Sequence, residues 1–360
     1  MLSLLAVSAS SANKWAVVTG GSSGIGRAIA LEASSRGYSV VIAARRETVL
    51  NELAEEIRSK HAVETLAVAV DLSTGAGATK LHQATAHLPI TILFANAGFS
   101  SIGQYVEMPS QEIEQMAAVN MVAVAALCRL YGASLPSGGS IVITSSLTAY
   151  APLPGATLYA ATRAFVHSLA GGLSAELRPR NVRVRCLLPG ATDTEFAATS
   201  NLDNSLAFTG PFFRPLGIVT KASAVAVAAL DSVGYAAHVV DVIPSFMQRA
   251  YALAARALMP RALASAFAGH FFGEVSPLSS RSSLSDFLNA LPVLLPAAVA
   301  IVVALPLVLL QDMTEALPPP LGYMLGLLYI SLVARYVSGS RSTRRSSDGA
   351  PPAAARAKKA

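Results

Sequence analysis

The sequence predicts an α/β fold, in which a doubly wound parallel β-sheet is covered by helices and is followed by an apolar helical hairpin. Three observations support this fold class. Short runs rich in β-branched residues alternate with helix-like stretches as far as Leu188. The runs are apolar throughout, as is typical of strands that are buried on both faces. Two long apolar runs then occupy most of residues 287–337.

The elements follow one another in a regular order along the chain. Helix-like patterns separate the strands, for example over residues 47–60. Residues 246–272 also look helical, and their arginines suit either a helix at a membrane surface or a helix that caps the fold. The six predicted strands are residues 15–18, 39–44, 65–70, 91–95, 140–144 and 182–188.

A glycine-rich segment, Thr-Gly-Gly-Ser-Ser-Gly-Ile-Gly, lies between the first predicted strand and a helix. That context is the one a dinucleotide-binding motif requires. Its glycines permit a tight turn and close packing of helix on strand, and the amides at the helix start attract a pyrophosphate. The segment therefore predicts a Rossmann-type fold and a cofactor site that contains Thr19, Gly20, Ser22, Ser23, Gly24, Ile25 and Gly26.

Further motifs stand in a fixed order: Asp71-Leu72, Asn96-Ala97-Gly98, Asn120, Ser146 thirteen residues before Tyr159, and Pro189-Gly190 with Thr194. In order and spacing they resemble the short-chain dehydrogenase/reductase family over about residues 13–270. The resemblance implies that Tyr159 supplies a proton, Ser146 orients a carbonyl oxygen and Asn120 holds a relay water. It also implies cofactor contacts from Asp71 to adenine, from Thr194 to the carboxamide, and from Leu72, Asn96, Ala97, Gly98, Pro189 and Gly190.

Arg163 stands where the family has a lysine, one helical turn after Tyr159. Its positive charge keeps the electrostatic support for Tyr159 and predicts a catalytic role. Its planar guanidinium is not interchangeable with an ammonium, however, which leaves the ribose contact and the proton relay in question. Two hypotheses therefore stay open, an active reductase and a membrane-bound NADP-binding protein with little or no turnover.

The choice of cofactor depends on the end of the second predicted strand, which reads Ala44-Arg45-Arg46. An acidic residue there would bind the 2′-hydroxyl of NAD, whereas an arginine suits the 2′-phosphate of NADP. We therefore predict NADP(H) as the cofactor and Arg45 as the residue that selects it.

The composition indicates contact with lipid, because 53% of the residues are hydrophobic, 13% are charged and the mean hydropathy is +0.50. The net charge of +6 does not predict a nucleic-acid partner, since seven basic residues lie in the last 26 positions and the rest is nearly neutral. The histidines show no ligand spacing, so no metal is predicted. Cys128 and Cys186 fall in apolar segments and are expected to be buried thiols in a reducing compartment.

The C-terminal region predicts a membrane anchor. Residues 287–310 are 24 residues without a charge, and a helix of that length exceeds a hydrocarbon core of about 30 Å. Three prolines would kink it, so a re-entrant segment and a buried apolar subdomain remain alternatives. The predicted organisation is a lead (1–12), a reductase domain (13–273), a linker (274–286), a spanning or re-entrant hairpin (287–337) and a basic disordered tail (338–360).

The charges around this hairpin predict its topology. The segment 311–320 has no Lys or Arg, whereas basic residues flank the hairpin on both sides, so both flanks are expected in the cytosol. The ending Arg-Ala-Lys-Lys-Ala loosely resembles an endoplasmic-reticulum retrieval signal, and the N-terminus shows no convincing secretory signal. We therefore expect a protein of the endoplasmic-reticulum membrane with a cytosolic catalytic domain and tail.

The segment after the last predicted strand, residues 192–215, carries Phe196, Phe208, Phe212 and Phe213. In the family this region closes over the substrate, which implies an apolar one; a packed loop with no substrate contact is an equal alternative. The predicted function is thus NADPH-dependent reduction of a lipid-like ketone, or the reverse reaction. Within the family, 3-ketosphinganine reductases share the glycine loop and an apolar C-terminus, and steroid dehydrogenases fit the catalytic domain equally well. Homo-oligomers are common in the family.

Overall fold

The computed structural model describes residues 14–200, 218–236 and 240–258. The predicted lead, linker, hairpin and tail lie outside these residues, as do Phe208, Phe212 and Phe213. The strands are β1 (Trp15–Thr19), β2 (Ser39–Ala44), β3 (Thr65–Ala69), β4 (Ile90–Ala95), β5 (Ser140–Thr144), β6 (Arg183–Leu187), β7 (Thr192–Asp193), β8 (Thr220–Lys221) and β9 (Asp241–Val242).

Nine α-helices occur in this described part of the chain. Short 3₁₀ turns connect several elements, and π-helical turns follow α4 at Ala118–Ala123 and α9 at Ala254–Leu258. The helices are α1 (Gly24–Ser35), α2 (Glu47–His61), α3 (Gly77–Thr85), α4 (Ser110–Ala117), α5 (Val124–Ser134), α6 (Thr157–Leu177), α7 (Glu195–Thr199), α8 (Ala222–Asp231) and α9 (Phe246–Leu253).

Seven parallel strands form the main sheet in the order β3-β2-β1-β4-β5-β6-β9, which confirms the predicted Rossmann-type sheet. β1 is an interior strand beside the central strand β4, with Val17 paired to Val41 of β2 and to Leu93 of β4. After β1 the chain adds β2 and β3 on one side of it and then returns to add β4, β5, β6 and β9 on the other side. Ligands bind in α/β sheets at this kind of reversal, outside the carboxyl ends of the strands.

Helices cover both faces of the sheet, because alternate strand residues point to opposite sides. On one face, Val17 and its neighbours pack against α3, α5 and α6. On the other face, Val18 and its neighbours pack against α1, α2 and α8. Burying both faces explains why most of the strands could be recognised as apolar runs; β6, which carries Arg183 and Arg185, is the exception.

One described helical segment, Ser110–Ser134, is long and apolar enough to cross a membrane. Its residues Leu127, Cys128 and Tyr131 are buried in the core beside the sheet. It is therefore a core helix of the α/β fold.

The described part of the predicted helix 246–272 caps the edge of the sheet. Arg256 pairs with Asp241 of β9 at 3.4 Å and stacks over the ring of Tyr150. Arg249 donates through Nε to the carbonyl of Ile243. These contacts favour the fold-capping alternative for residues 246–258.

A hydrogen-bonded cluster lies at this edge. The carboxylate of Asp241 accepts from the hydroxyl of Tyr150 at 2.7 Å and contacts Nε2 of His167 at 3.0 Å. Burial alone would raise the pKa of Asp241, but these hydrogen bonds and the charge of Arg256 outweigh it and lower that pKa. Asp241 is therefore ionised at neutral pH.

Cys186 lies beside this cluster, and its thiol, His167 and Asp241 offer ligand atoms within 4.8 Å of one another. Sequence spacing did not reveal this group. Burial raises the pKa of Cys186, which keeps the thiol protonated, and Arg256 already neutralises Asp241. We therefore propose no metal here. Both Cys186 and Cys128 are buried and free, as predicted.

Candidate active site

A cleft of about 870 Å³ opens at the carboxyl ends of the central strands. The glycine loop and the end of β2 line one half, and the start of α6 and the segment after β6 line the other. All predicted site residues line this cleft except Thr19, Gly26 and Asn120. The structure thus brings motifs from seven parts of the sequence to one place.

The glycine loop has the backbone that its sequence predicts. Gly20 and Gly24 have φ angles of +68° and +53°, in the left-handed region that favours glycine. A Cβ at Gly26 would lie 2.2 Å from the carbonyl oxygen of Gly20, so only glycine lets α1 start this close. The Ser23 side chain makes no cap hydrogen bond, which leaves the first amides of α1 open to an anion.

Thr19 and Asn96 join the ends of three strands behind the cleft. The Thr19 hydroxyl oxygen accepts from the backbone N–H groups of Asn96 and Ala97, both at 3.0 Å. The Asn96 amide donates to the Thr19 carbonyl at 3.1 Å, and its oxygen accepts from the Thr144 hydroxyl. Thr19 therefore does not line the cleft itself, but its hydrogen bonds hold Asn96 and Ala97, which do.

Asp71 and Arg45 line the expected adenine end of the cleft. The Asp71 carboxylate accepts from the backbone N–H of Ser73 at 2.9 Å. This hydrogen bond lowers the pKa of Asp71, and the charge of Arg45 acts in the same direction. The two side chains therefore present opposite charges at this end.

Arg46 is a cleft residue that the sequence did not single out. Its guanidinium donates to the carbonyl and the hydroxyl of Ser22, both at 3.2 Å, and lies 3.4 Å from Glu195. The available signal was the Arg-Arg pair at the end of β2. Which arginine turns towards the glycine loop depends on where α2 starts, and sequence pattern fixes that only approximately.

Tyr159 and Arg163 share one face of α6, as their spacing predicts. The guanidinium carbon of Arg163 lies 4.8 Å from the centre of the Tyr159 ring. Arg163 is only 3% exposed and donates through Nη1 to the Thr144 carbonyl at 3.0 Å. Its Nη2 reaches the wall at Gly98, where a Cβ would lie 2.3 Å from it. The cation is thus fixed beside the tyrosine.

Ser146 lies in the turn after β5 and lines the same end of the cleft as Tyr159. Its hydroxyl oxygen accepts from the backbone N–H of Thr148 at 3.2 Å. This contact orients the side chain and leaves its O–H able to donate. The neighbouring Ser145 hydroxyl donates to the Arg163 carbonyl at 2.8 Å, which ties this turn to α6.

Asn120 is fully buried in the π-helical turn, away from the cleft wall. Its amide nitrogen donates to the carbonyl of Phe99 and the hydroxyl of Thr162, and its oxygen accepts from the Phe99 N–H. Both amide hydrogens are therefore used. A relay water remains a prediction and would have to bind an oxygen atom of Asn120.

The lining of the cleft around Tyr159 is largely apolar. The ring of Phe196 lies 5.7 Å from that of Tyr159. The lining continues through Phe99, Ile102, Val119, Leu153, Met247 and Tyr251. Among the described lining residues, those with a formal charge are Arg45, Arg46, Asp71, Arg163 and Glu195, and of these Arg163 lies against the Tyr159 ring.

Comparisons with known proteins agree with this geometry. The short chain dehydrogenase family profile matches residues 14–205. A very-long-chain 3-oxoacyl-CoA reductase-B of Danio rerio is 33% identical over 198 residues, which are 52% of this chain and 63% of the fish protein. The very-long-chain 3-oxoacyl-CoA reductase of Mus musculus is 31% identical over 218 residues, 58% of this chain and 70% of the mouse protein.

A solved structure extends the likeness to three dimensions. The short-chain dehydrogenase from Sphingobium yanoikuyae in complex with NADPH has a TM-score of 0.56 and 31% sequence identity. The superposition covers 64% of this chain and 87% of that one. The region that matches the family profile is more than half of the sequence, and it includes the glycine loop, Ser146, Tyr159 and Arg163. The chain therefore belongs to the short chain dehydrogenase family of NAD(P)-dependent oxidoreductases.

Proposed function

We propose that this chain reduces a lipid-like ketone to an alcohol with NADPH, or catalyses the reverse reaction. The observation that carries the proposal is the placement of Tyr159, Ser146 and Arg163 at the apolar end of a cleft whose other end is built for a dinucleotide. The two relatives reported above are named for reducing very-long-chain 3-oxoacyl-CoA. The aligned part covers less than two thirds of the fish relative, so substrate and activity are inferred for this chain.

The site suits a nicotinamide dinucleotide because of its own residues. Gly20 and Gly24 form the tight turn before α1, and Gly26 lets α1 pack closely on that turn, so a pyrophosphate can approach the start of α1. Arg45 and Arg46 offer positive charge at the adenosine end, and Thr194 lies over Gly24. When bound, the reduced cofactor supplies the hydride for the carbonyl carbon.

The remaining chemistry belongs to the side chains. The Ser146 O–H donates to the carbonyl oxygen and stabilises the negative charge that develops on it. The Tyr159 O–H transfers its proton to that oxygen as a general acid. Arg163 lies over the ring and stabilises the tyrosinate that remains. The apolar wall holds the chain of the substrate and excludes water from the transfer.

A non-catalytic NADP-binding protein is the second candidate, and Arg163 is the observation that favours it. The test is oxidation of NADPH by purified full-length protein in detergent, with a long-chain 3-oxoacyl-CoA, 3-ketosphinganine and a steroid ketone offered separately. We expect turnover of a long-chain ketone. NADPH binding without turnover of any of them would support the binding protein, and a preference for the steroid would support a steroid dehydrogenase.

We expect NADPH to bind more tightly than NADH and Arg45→Asp to reverse that order. The guanidinium can pair with the 2′-phosphate, and charge-assisted hydrogen bonds contribute about 1.5–3 kcal/mol, roughly 10- to 100-fold in Kd. Fluorescence titration with both nucleotides measures the ratio. Arg46→Ala is the variant for comparison, because the guanidinium of Arg46 already donates to Ser22 and pairs with Glu195. A ratio unchanged by Arg45→Asp would exclude Arg45 from cofactor selection.

We further propose that residues 287–337 tether the domain to the endoplasmic-reticulum membrane, with the domain and the tail in the cytosol. Deleting residues 287–360 is expected to release the protein from membranes and to leave NADPH binding intact, because the cofactor motifs all lie before residue 200. Membrane fractionation and nucleotide titration measure the two effects. Full-length protein in the soluble fraction would reject the tether, and a tail protected from protease in intact microsomes would reject the topology.

A further inference from the structure

Residues 190–196, which follow β6, line the cleft, and we refer to this segment as the strap. Its base is attached to the turn that carries Ser146, because the Leu147 N–H donates to the Pro189 carbonyl at 3.1 Å. Its middle forms β7, which pairs with β8 through Thr192 and Thr220. The strap is therefore held at its base by the Ser146 turn and in its middle by β8.

Three successive side chains of the strap contact three different parts of the candidate site. Thr194 packs over Gly24, where a Cβ would lie 3.3 Å from its side chain. Glu195 lies 3.4 Å from Arg46. Phe196 contacts the ring of Tyr159, with 5.7 Å between centroids. A displacement of the strap would thus disturb the cofactor loop and the tyrosine together.

Gln248 of α9 fixes the strap from the inner side. It is 3% exposed and lines the cleft. Its Oε1 accepts from the backbone N–H of Gly190 at 3.2 Å, and its Nε2 donates to the Ile218 carbonyl at 3.0 Å. A Cβ at Gly190 would lie 2.8 Å from Nε2, so the strap approaches this amide as closely as glycine allows. One side chain therefore joins the first residue of the strap to the segment that enters β8.

We propose that Gln248 is a positioning residue. Its two hydrogen bonds hold the strap in the position where Thr194 lies beside the cofactor loop and Phe196 contacts the Tyr159 ring. This inference rests on the proposed function of the cleft. Without the amide, the partly buried Gly190 N–H and Ile218 carbonyl lose the side chain that joins them, and the strap is free to shift. A shift of about 1 Å in positioning groups can cost roughly 100-fold in rate.

The test compares Gln248→Met, which keeps the length of the side chain and removes the amide, with Thr85→Val. Thr85 is equally buried and is hydrogen-bonded to Tyr131, but it lies in α3 and does not line the cleft. We expect Gln248→Met to raise the Kd for NADPH about three- to tenfold, to lower kcat/KM at least tenfold and to speed hydrogen exchange of the strap amides. Thr85→Val should lower Tm and leave all three unchanged.

Gly190→Ala perturbs the same contact from the strap side and should reproduce the effects of Gln248→Met, which keeps the test available if Gln248→Met does not fold. A loss of Tm in both variants, with wild-type Kd and wild-type strap exchange, would overturn the inference and leave Gln248 as an ordinary core residue. Absence of ketone turnover in the wild type would count against the proposed reductase alone, because the Kd and exchange measurements still decide the role of Gln248.

Discussion

Tyr159→Phe is expected to lower ketone turnover by about 10²–10⁴-fold, the range that general acid catalysis contributes, and to leave the Kd for NADPH within about twofold of wild type. The variant keeps the ring that packs on Phe196 and under Arg163, so it removes only the transferable proton. Single-turnover rates on the most active ketone measure the effect, and nucleotide titration is the control.

Arg163→Lys completes this experiment. A lysine restores the residue that the family carries and keeps a cation beside Tyr159, so turnover should be retained or raised. If the protein is a non-catalytic binder, neither variant changes the background rate. Measurable wild-type turnover that survives the loss of the Tyr159 hydroxyl would contradict the proposed mechanism.

Arg185→Met is expected to lower the free energy of unfolding by about 2–4 kcal/mol. Arg185 is fully buried on β6, where its guanidinium donates to the carbonyls of Ser232, Tyr235 and Ala236. Burial lowers the pKa of Arg185 to about 10, so the side chain is still charged at neutral pH. Methionine fills much of the volume and removes these donors, which leaves carbonyls of the turn after α8 poorly paired.

Urea denaturation of the wild type and both arginine variants of β6 gives the comparison. Arg183→Met is the matched control, because Arg183 is on the same strand but only partly buried, and its hydrogen bond to the Gly138 carbonyl is exposed to solvent. It should cost less than about 1 kcal/mol. An equal loss in the two variants would show that the contacts of Arg185 with the turn contribute little.

The main sheet and the glycine loop of the cofactor site could be predicted because their sequence patterns are local. Strands buried on both faces are unbroken apolar runs, and the positive φ angles of Gly20 and Gly24 require glycine wherever the loop occurs. β7, β8 and β9 were missed since two residues each carry no periodic pattern.

The missed site residues depend on contacts between distant segments. Gln248 lies beside Arg249 on an otherwise largely apolar helix, and nothing in its sequence neighbours shows that the Gly190 amide lies opposite. Whether Arg45 or Arg46 turns towards the glycine loop depends on the orientation of the turn into α2. The buried position of Asn120 depends on the packing of its π-helical turn on α6. Spacing identified the chemical groups, whereas tertiary packing decided which of them reach the cleft.

The interior position of β1, with a partner strand on each side, has a consequence for folding during synthesis. One edge of β1 can pair with β2 soon after both are made, but the other edge must wait for β4, which starts at Ile90. Until then an apolar strand, Trp15–Thr19, keeps an open row of backbone donors and acceptors. Because parallel pairing between distant segments is slow, this interval is when the nascent chain is most exposed to aggregation.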